Sequence, residues 1–428
     1  MVGNFNPIIV VGGGGAGIVA AWKAASSGAR VSLIERNNKL GIKLLISGGG
    51  KCNITHAGSV DDVCAGFIAR EARFLKPSLY RFTNQAVLDV LHNEGVRTQT
   101  RENGRVFPMS GRAADVVAAF TSLLSRSGVH IVKECRVESI QCRLGAVTGV
   151  VTGGSVIPSS HVVVATGGAS YPKTGTTGDG YGWGKEIGHT IVPVRAALAP
   201  IGIEPALPSD WRGVALRGGC LLVYAEGRKL SSWNDDILFT HEGLSGPAAL
   251  EVSRTAAAAM EKHSVTLAFD FFPSHSFAKL DAELNRRVLE NRGRMVETIL
   301  ESLLPNRIIS LLLASIDVDP ETRGHVLTRD QRRAITGLLK EWKLGKVSRI
   351  DLARGEVTAG GIDLGEVDPQ TMRSRKTRGL YLCGEVLDVA GSVGGYNLQA
   401  AFSTGFVAGE SAARDWLAGP ETHEKTGS

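Results

Sequence analysis

The stretch Ile8–Glu35, IIVVGGGGAGIVAAWKAASSGARVSLIE, decides the fold of this chain. It opens with the apolar run Ile8–Val11, which is typical of a strand buried on both faces of a parallel sheet. A glycine-rich turn follows, and the alanine-rich segment Ile18–Ser27 then predicts a helix. The second apolar run, Val31–Ile34, ends at an acid. Together these pieces have the length of one β-α-β unit.

The turn in this stretch has the spacing G-x-G-x-x-G, with Gly12, Gly14 and Gly17 at the three glycine positions. The first glycine permits a tight turn, the second lets the backbone approach a pyrophosphate, and the third lets helix pack on strand. Glu35, at the end of the second strand, can accept hydrogen bonds from ribose hydroxyls. The pattern predicts a dinucleotide site; the alternative is a turn that serves packing alone. FAD and a nicotinamide cofactor both remain open at this point.

Three later elements favour FAD. Ser47–Asn53 (SGGGKCN) is a second glycine loop, where backbone amides could lie beside a flat ring, although a flexible surface loop is the alternative. Cys52 within it has no neighbouring base or resolving cysteine, so we do not expect a nucleophile. Val162–Gly168 (VVVATGG) is a strand that ends in a small-residue turn, as at sheet edges that meet a cofactor.

The third element is Gly379–Ala401, GLYLCGEVLDVAGSVGGYNLQAA. Its strand leads to Glu385, whose carboxylate can hold ribityl or ribose hydroxyls. The helix that begins near Asn397 could direct its amides at the flavin pyrimidine edge and stabilise the negative charge formed there on reduction. The alternative for Glu385 and Asp388 is a pair of solvated turn acids.

Composition excludes several classes of protein. The chain has 428 residues, enough for two or three domains, and 53 of them are glycines grouped beside apolar runs. The net charge is +6, but Lys and Arg are scattered, with no basic stretch longer than Arg373–Arg378. We therefore expect a small-molecule substrate and neither a nucleic-acid nor a membrane partner; the oligomeric state stays open.

Cysteine and histidine usage points to a reduced, metal-free protein. The six cysteines contain no CxxC pair, and the ten histidines show no paired-ligand spacing. The N-terminal segment has no basic region before its apolar run, so no signal peptide or membrane span is predicted. We expect a cytoplasmic protein.

Both ends of the chain combine glycine-rich turns with apolar runs, whereas the middle does not. This pattern predicts an α/β cofactor domain in two pieces. The fold class is a Rossmann-type FAD-binding domain interrupted by an inserted mixed β-barrel and helical domain. We place the first part at residues 1–192, the insertion at 193–345 and the second part at 346–428. The other predicted elements are helices at 84–92 and 112–125, a helical stretch at 277–314, and strands at 131–140, 146–151, 155–157, 161–165, 219–224, 265–271 and 380–383.

Eight motifs, in order along nearly the whole chain, resemble the BaiN/RdsA (YhiN-like) family of FAD-dependent oxidoreductases. They are IIVVGGGGAG (8–17), KLLISGGGKCNITH (43–56), GRVFP (104–108), TGGASYPKTGTTGDGY (166–181), LFTHEGLSGPA (238–248), VTAGGIDLGEVDPQTM (357–372), GLYLCGEVLD (379–388) and GGYNLQ (394–399). This family is similar to the fumarate-reductase-like and glutathione-reductase-like FAD folds. The resemblance implies an FAD domain interrupted by a β-barrel-like insertion, and a reductase; some members are associated with reducing carbon–carbon double bonds in steroid-like bile-acid intermediates.

The motifs and the resemblance together predict the residues that bind FAD. One loop, Val389–Val393, departs from the family pattern, because acidic or threonine residues are expected there; we expect a less polar loop beside the flavin. The predicted cofactor-binding residues are Gly12, Gly14, Gly15, Ala16, Gly17, Glu35, Arg36, Lys43, Ser47, Gly48, Gly49, Cys52, Asn53, Val137, Thr166, Gly167, Gly168, Gly384, Glu385, Asp388, Gly395, Tyr396, Asn397 and Leu398.

Catalysis needs few protein groups, because flavin N5 carries the hydride. Candidate catalytic residues are Tyr171 and Lys173, just after the Thr166–Gly168 turn, and His241 in the insertion. Arg105 could reach an anionic substrate or pair at the surface. A structural role for His241, and a cofactor-contacting turn for Tyr171 and Lys173, are the alternatives.

The sequence favours a reductase that passes hydride through flavin N5 to an unsaturated or quinone-like small molecule. No second G-x-G-x-x-G within a β-α-β unit occurs between residues 170 and 380, so NADH or NADPH would dock transiently, or another carrier would supply electrons. Two alternatives stay open: a nicotinamide-only dehydrogenase, and a flavin-binding regulatory protein without turnover.

Overall fold

The structure, a computed structural model, describes residues 6–419. The described residues divide into two compact units, the first formed by residues 6–194 and 357–419 and the second by 195–356. The predicted boundaries at 192 and 345 differ from these. At the second boundary the reason is a strand, Trp342–Arg349, which pairs with strands of the second unit and carries that unit past residue 345.

The first part of the first unit alternates strands and helices. Its strands are β1 (Ile8–Val11), β2 (Val31–Ile34), β3 (Thr55–His56), β4 (Thr98–Thr100), β5 (Arg105–Pro108), β6 (His130–Val132), β7 (Ser139–Arg143), β8 (Ala146–Thr152), β9 (Ser155–Pro158), β10 (Val162–Val164) and β11 (Ile191–Ala197), the last of which crosses the boundary. Its helices are α1 (Gly15–Ser26), α2 (Ile42–Gly50), α3 (Val60–Cys64), α4 (Ala69–Arg81), α5 (Asn84–Asn93), α6 (Ala113–Arg126) and α7 (Asp179–Glu186).

The second unit is built on one eight-stranded antiparallel sheet. Its strands are β12 (Ile201–Glu204), β13 (Ala215–Leu216), β14 (Cys220–Ala225), β15 (Arg228–Asn234), β16 (Ile237–Phe239), β17 (Gly243–Ser245), β18 (Val265–Asp270) and β19 (Trp342–Arg349), in the order β13-β16-β17-β12-β19-β18-β14-β15. Its helices are α8 (Pro247–Met260), α9 (Phe277–Glu290), α10 (Val296–Leu300), α11 (Asn306–Ala314) and α12 (Arg329–Lys340). Sheet and helices share an apolar core of their own. In the structure, this eight-stranded sheet takes the place of the β-barrel-like part that was predicted.

The chain then returns to the first unit. The remaining elements are β20 (Val357–Ile362), β21 (Leu380–Leu382) and α13 (Tyr396–Ala418). Single 3₁₀ turns lie at Pro172–Thr174, Ser209–Trp211, Leu352–Arg354, Leu364–Glu366 and Gly384–Val386.

A five-stranded parallel sheet organises the first unit, in the order β21-β10-β1-β2-β6. The strands β1, β10 and β21 are buried at every position, which explains why they read as uninterrupted apolar runs. Register places Val11 beside Ile34 and Val164, and Val164 beside Leu382. The glycine turn after β1, the acid after β2, the small-residue turn after β10 and the loop after β21 therefore all leave the same edge of one sheet. The Rossmann-type fold is confirmed.

Helices α1 and α13 pack closely against each other because α13 carries glycines at the contact. A Cβ at Gly405 would lie 2.3 Å from the Ala16 carbonyl oxygen, and one at Gly409 would lie 2.2 Å from that of Ala20. Any larger residue would push the two helices apart.

The predicted strand 131–140 is wrong. Strand β6 ends at Val132, and β7 begins only at Ser139. Between them Glu134 has φ +54°, and the Cys135 amide donates to the Glu35 carbonyl oxygen at 3.0 Å. Sequence pattern alone hides this break, because the apolar residues on both sides continue an alternating pattern.

Candidate functional site

The glycines of the first turn differ in the space around them: two are closely packed, and one borders open space. Gly12 has φ +104°, and a Cβ there would lie 2.5 Å from the Ala165 carbonyl oxygen. A Cβ at Gly17 would lie 1.8 Å from the Gly12 carbonyl oxygen. At Gly14, which precedes helix α1, an added Cβ meets no protein atom within 4 Å. Gly12 and Gly17 are thus required by the fold, whereas Gly14 leaves room for a ligand at the helix start.

Glu35 is fixed beside this turn. Its side chain is buried, its Oε2 accepts from the Gly13 amide at 2.6 Å, and its Oε1 accepts from the backbone and side-chain nitrogens of Asn37 at 2.8 and 2.6 Å. An ionised carboxylate can accept about four hydrogen bonds, so capacity for a ribose hydroxyl remains. Asn37 was not predicted; its position two residues after the acid was the only available signal.

Arg36 follows Glu35 directly, and Val137 lies two residues after Cys135, whose amide donates to the Glu35 carbonyl. The Arg36 guanidinium donates to Thr177 at 2.6 Å and to Asp179 at 3.1 Å, so it ties β2 to the loop that precedes α7. Val137 is buried, and its backbone amide and carbonyl form no hydrogen bond within residues 6–419. Arg36 is engaged by the protein, whereas the Val137 backbone can still bind a ligand.

The second glycine loop follows a short helix rather than a strand. Helix α2 loses helical geometry at Ser47, and Gly48, Gly49 and Gly50 all have positive φ, at 57°, 66° and 83°. The three glycines are exposed. Cys52 beneath them is fully buried, and burial raises the pKa of its thiol to about 11. The thiol therefore stays protonated, in line with the expectation that Cys52 is no nucleophile.

Asn53 connects this loop to the start of α13. With its amide oriented to suit its neighbours, the side-chain oxygen accepts from the Gly395 amide at 3.0 Å and the nitrogen donates to the Thr55 and Val106 carbonyls at 3.2 Å. The second and last glycine elements are therefore in direct contact.

The turn after β10 is closely packed. Gly167 has φ +74°, and a Cβ at Gly168 would lie 2.3 Å from the Thr358 hydroxyl and 2.9 Å from Glu385 Oε1. The Thr166 hydroxyl is buried and has no hydrogen-bond partner in the described part of the chain.

Glu385 is the centre of a hydrogen-bond network that joins four segments. Its carboxylate accepts from Lys43 Nζ at 2.7 Å, from the Ser170 hydroxyl at 3.3 Å and from the Thr358 amide at 2.8 Å. The Thr358 hydroxyl accepts from the amides of Ala169 and Ser170 at 2.9 and 3.1 Å. Three donors, from Lys43, Ser170 and Thr358, thus converge on one carboxylate. The predicted residues Lys43 and Glu385 thus lie together.

Ser170, Thr358 and Tyr181 belong to this network and were not predicted. The Tyr181 hydroxyl donates to the Glu385 carbonyl oxygen at 3.2 Å, and burial raises the pKa of its phenol. Ser170, Tyr181 and Thr358 lie in the motifs TGGASYPKTGTTGDGY and VTAGGIDLGEVDPQTM, so motif membership was the signal, but no spacing rule marked their side chains.

The loop from Asp388 to Leu398 is held by the protein at several points. Asp388 accepts from the Gly360 amide and from Arg70, both at 3.1 Å. The Asn397 side chain accepts from the Gly391 amide and donates to its carbonyl, both at 2.8 Å. Tyr396 stacks on His56 with ring centroids 4.8 Å apart, and Leu398 packs against the core. The first intrahelical bond of α13 runs from the amide of residue 399 to the carbonyl of 395, so the amides of residues 396–398 precede it.

The three catalytic candidates fall in two units. Tyr171 has φ +49°, its side chain is exposed, and Lys173 is exposed two residues later in the first unit. His241 is in the second unit, in the turn between β16 and β17, with its Nε2 3.3 Å from Glu242 Oε1. Glu242 also pairs with Arg349 and Arg354, and these contacts lower the pKa of its carboxyl. Within the described residues, none of the three candidates is buried.

Membrane-spanning helices and metal-binding clusters are both absent from the described residues. No helix between residues 6 and 419 has both the length and the apolar character needed to cross a bilayer. No group of three or more His, Cys, Asp or Glu side chains in the same range could hold a metal ion.

Solved structures share the fold. A 3-ketosteroid delta1-dehydrogenase from Sterolibacterium denitrificans aligns with a TM-score of 0.53 at 15% identity, covering 96% of this chain and all of its own. The FrdA subunit of Escherichia coli quinol fumarate reductase aligns with a TM-score of 0.52 at 18% identity, covering 97% of this chain and 71% of its own. At these identities the likeness concerns the fold alone.

Sequence comparisons reach nearly the full length. The chain is 29% identical to the ribosomal RNA dihydrouridine synthase of Haemophilus influenzae, covering 96% of this chain and 99% of that protein. It is 31% identical to the 3-dehydro-bile acid delta(4,6)-reductase of Clostridium scindens, covering 95% and 99%. The model of the HI0933-like protein Rossmann domain matches residues 6–411. These matches confirm the resemblance drawn from the motifs: the chain belongs to the HI0933-like Rossmann family.

Proposed function

We propose that this chain is an FAD-dependent oxidoreductase that reduces a carbon–carbon double bond conjugated to a carbonyl. The observation that carries the proposal is the convergence of the glycine turn, the acid Glu35, the Thr166–Gly168 turn and the loop after β21 at one edge of one parallel sheet. In open α/β sheets this edge, at the carboxyl ends of the strands, is where nucleotides bind.

Several groups at this edge fit FAD. The position of a Cβ at Gly14 is open, which suits a pyrophosphate at the start of α1. The Val137 backbone, free within the described residues and in the segment that follows β6, the strand paired with β2, suits an adenine ring. The Thr166 hydroxyl, buried and without a partner in the same range, suits a polar group of the cofactor.

The chain's own residues then have distinct tasks. Glu35 would hold the adenosine ribose, and Glu385, held in place by Lys43, would accept hydrogen bonds from ribityl hydroxyls. The backbone amides at the start of α13, which precede its first intrahelical bond, would lie at the pyrimidine edge and stabilise negative charge there. Bound FAD supplies hydride transfer at N5. The remaining FAD contacts predicted from the sequence, in the first glycine turn, the second glycine loop and the start of α13, are part of this proposal.

The proposed class of acceptor rests on the reactions that the names of two relatives describe. A 3-dehydro-bile acid delta(4,6)-reductase acts on double bonds near a ring ketone, and a dihydrouridine synthase saturates a double bond of uracil next to a carbonyl. Both are conjugated double bonds, which accept hydride at the β carbon and a proton at the α carbon. For that proton we propose Tyr171, Lys173 or His241 as the donor. We infer a small-molecule acceptor, NADH or NADPH as transient donor, and a cytoplasmic site of action.

A visible spectrum of the purified protein tests the cofactor. We expect flavin absorbance, bleaching on anaerobic addition of NADPH or NADH, and reoxidation by a steroid 4-en-3-one. A colourless folded protein that takes up no added FAD would refute the proposal, and a nicotinamide-only dehydrogenase would then be the better description. Flavin that no donor reduces and no acceptor reoxidises would indicate a binding protein without turnover.

Uridine in RNA is a second candidate acceptor. It is favoured by two relatives, from Haemophilus influenzae and Escherichia coli, that are named ribosomal RNA dihydrouridine synthases. Incubating the reduced enzyme with ribosomal RNA that lacks dihydrouridine, followed by nucleoside mass spectrometry, tests it. Formation of dihydrouridine, with no turnover of any enone, would replace the small-molecule acceptor.

A further inference from the structure

Arg105 is a half-buried arginine without an acidic partner. It lies on β5, and within residues 6–419 its guanidinium forms no ion pair and no hydrogen bond. Its backbone amide faces Asn103 Oδ1 at 3.4 Å. Arginines that are partly removed from water are normally paired, as Arg332 is with Asp281 at 3.0 Å in the second unit. An unpaired guanidinium in such a place indicates a ligand.

A second arginine lies on the same face of the small sheet β3-β5-β4. Arg101 follows β4, and its amide donates to the Arg105 carbonyl at 2.9 Å. The Arg101 guanidinium sits 4.1 Å from the centroid of the Phe107 ring and has no ion pair within the described residues. Glu102, the acid next to it, forms no ion pair there either. This face therefore carries two guanidinium groups that form no ion pair in the described part of the chain.

The same face adjoins the elements proposed to hold the flavin. Residues paired across antiparallel strands share a face, and His56 pairs with Arg105. The His56 ring lies 3.5 Å from the Cβ position of Gly394, and the Phe107 ring lies 3.3 Å from that of Gly48. Both contacts lie within the first unit, so the arginines stand beside the second glycine loop and the start of α13.

We propose that Arg105, with Arg101 beside it, binds an oxyanion of a small ligand that reaches the flavin. The planar guanidinium offers parallel N–H donors that match a carboxylate or a phosphate. Two ligands of the proposed reaction carry such a group: an acceptor with a side-chain carboxylate, and NADPH with its 2′-phosphate. The inference rests on the proposed function and adds that one of its two substrates is recognised as an anion.

Acceptor binding and flavin reduction by the donor can be measured separately. The two measurements distinguish an acceptor carboxylate from the 2′-phosphate of NADPH as the bound oxyanion. The holoenzyme and its R105Q, R105K and R143Q variants are compared, the last being an exposed arginine of β7 without an acidic partner in the described residues. Binding of a steroid 4-en-3-one with a free side-chain carboxylate, and of its methyl ester, is read from flavin difference spectra. Reduction by NADPH and by NADH is followed in the stopped flow.

We expect R105Q to weaken one oxyanion ligand about 10- to 100-fold, because hydrogen bonds to a charged group are lost. Its uncharged counterpart, the methyl ester or NADH, stays unchanged. The affinity of R105K should lie between those of wild type and R105Q, since an ammonium keeps the charge but lacks the parallel N–H donors of a guanidinium. R143Q should bind both ligands as wild type does. A loss confined to the acid assigns the acceptor carboxylate, and one confined to NADPH assigns the 2′-phosphate.

Three results would overturn the inference: equal effects on charged and uncharged ligands, no effect on either, or loss of FAD from R105Q, which would assign the arginine to the cofactor. The difference spectra need bound flavin but no turnover. If FAD binds and the wild-type enzyme reduces no enone, the proposed reaction fails while binding of the acid still tests Arg105.

Discussion

Alanine substitutions at two glycines of one turn should have different effects, one on the stability of the fold and the other on cofactor binding. At Gly17 the new methyl group would lie 1.8 Å from the Gly12 carbonyl oxygen, so helix α1 must move away from β1. At Gly14 it would meet no protein atom within 4 Å, and φ there is −80°, which alanine adopts freely. G17A should therefore damage the fold, and G14A should damage only the cofactor site.

The magnitudes follow from these contacts. Inserting a methyl group into a packed site costs about 1–3 kcal/mol. A unit of this size loses about 2–4 °C of Tm per kcal/mol, so we expect G17A to lower the Tm of the apoprotein by about 2–12 °C. G14A should change apoprotein stability by less than about 1 kcal/mol. It should weaken FAD binding roughly 10- to 150-fold if one charge-assisted hydrogen bond to the pyrophosphate is lost.

Thermal unfolding of the apoprotein and titration with FAD, followed by flavin fluorescence, measure the two effects separately. The reasoning is refuted if G14A binds FAD as tightly as wild type, because then no ligand occupies the open position. It is also refuted if G14A destabilises the apoprotein as much as G17A does, because then the space is not open.

Three further predictions concern buried polar groups. Thr358→Val leaves two backbone amides without their acceptor and should destabilise the protein by about 1–3 kcal/mol for each, measured by denaturant unfolding. Burial lowers the pKa of His189, so the unfolded chain binds a proton at higher pH than the folded one; stability should fall as pH drops through about 6.5, and H189Q should flatten that dependence. Cys52, buried with its pKa raised to about 11, should resist thiol reagents in the native protein, whereas exposed Cys142 should react.

Each of these has a matched control. Thr358→Ser keeps the hydroxyl and should retain most of the stability; equal losses in both variants would assign the effect to packing instead. For His189 the control is H161Q, a second histidine whose pKa is lowered by burial, and an unchanged pH profile in both variants would contradict the linkage. Peptide mapping after labelling distinguishes the two cysteines, and early modification of Cys52 would contradict its burial.

The first β-α-β unit could be predicted almost to the residue. Strands β1 and β2 lie where their apolar runs predicted, and α1 begins three residues earlier than predicted because the glycines after Gly14 already adopt helical geometry. Local information suffices here, since strand burial, turn glycines and helix composition are all encoded within 28 consecutive residues.

The network around Glu385 could not be predicted in the same way. Its members come from residues 43, 170, 358 and 385, and no periodicity links positions so far apart. Asp388 shows the same limit: the sequence placed it near a ligand, and the structure shows its oxygens bound to Gly360 and Arg70. Whether an acid after a buried strand faces a ligand or another segment depends on what folds against it.

By itself the sequence determined the parallel sheet, the order of its glycine elements and the class of ligand they suit, because each of these depends on residues within one turn or one strand. Only the tertiary structure decided which side chains are already satisfied and which are not. Arg105 illustrates the difference. Its sequence context allowed either a surface ion pair or an anion site, and only the structure shows that its guanidinium forms no ion pair among residues 6–419. Partners are a property of packing across distant segments, which no local pattern contains.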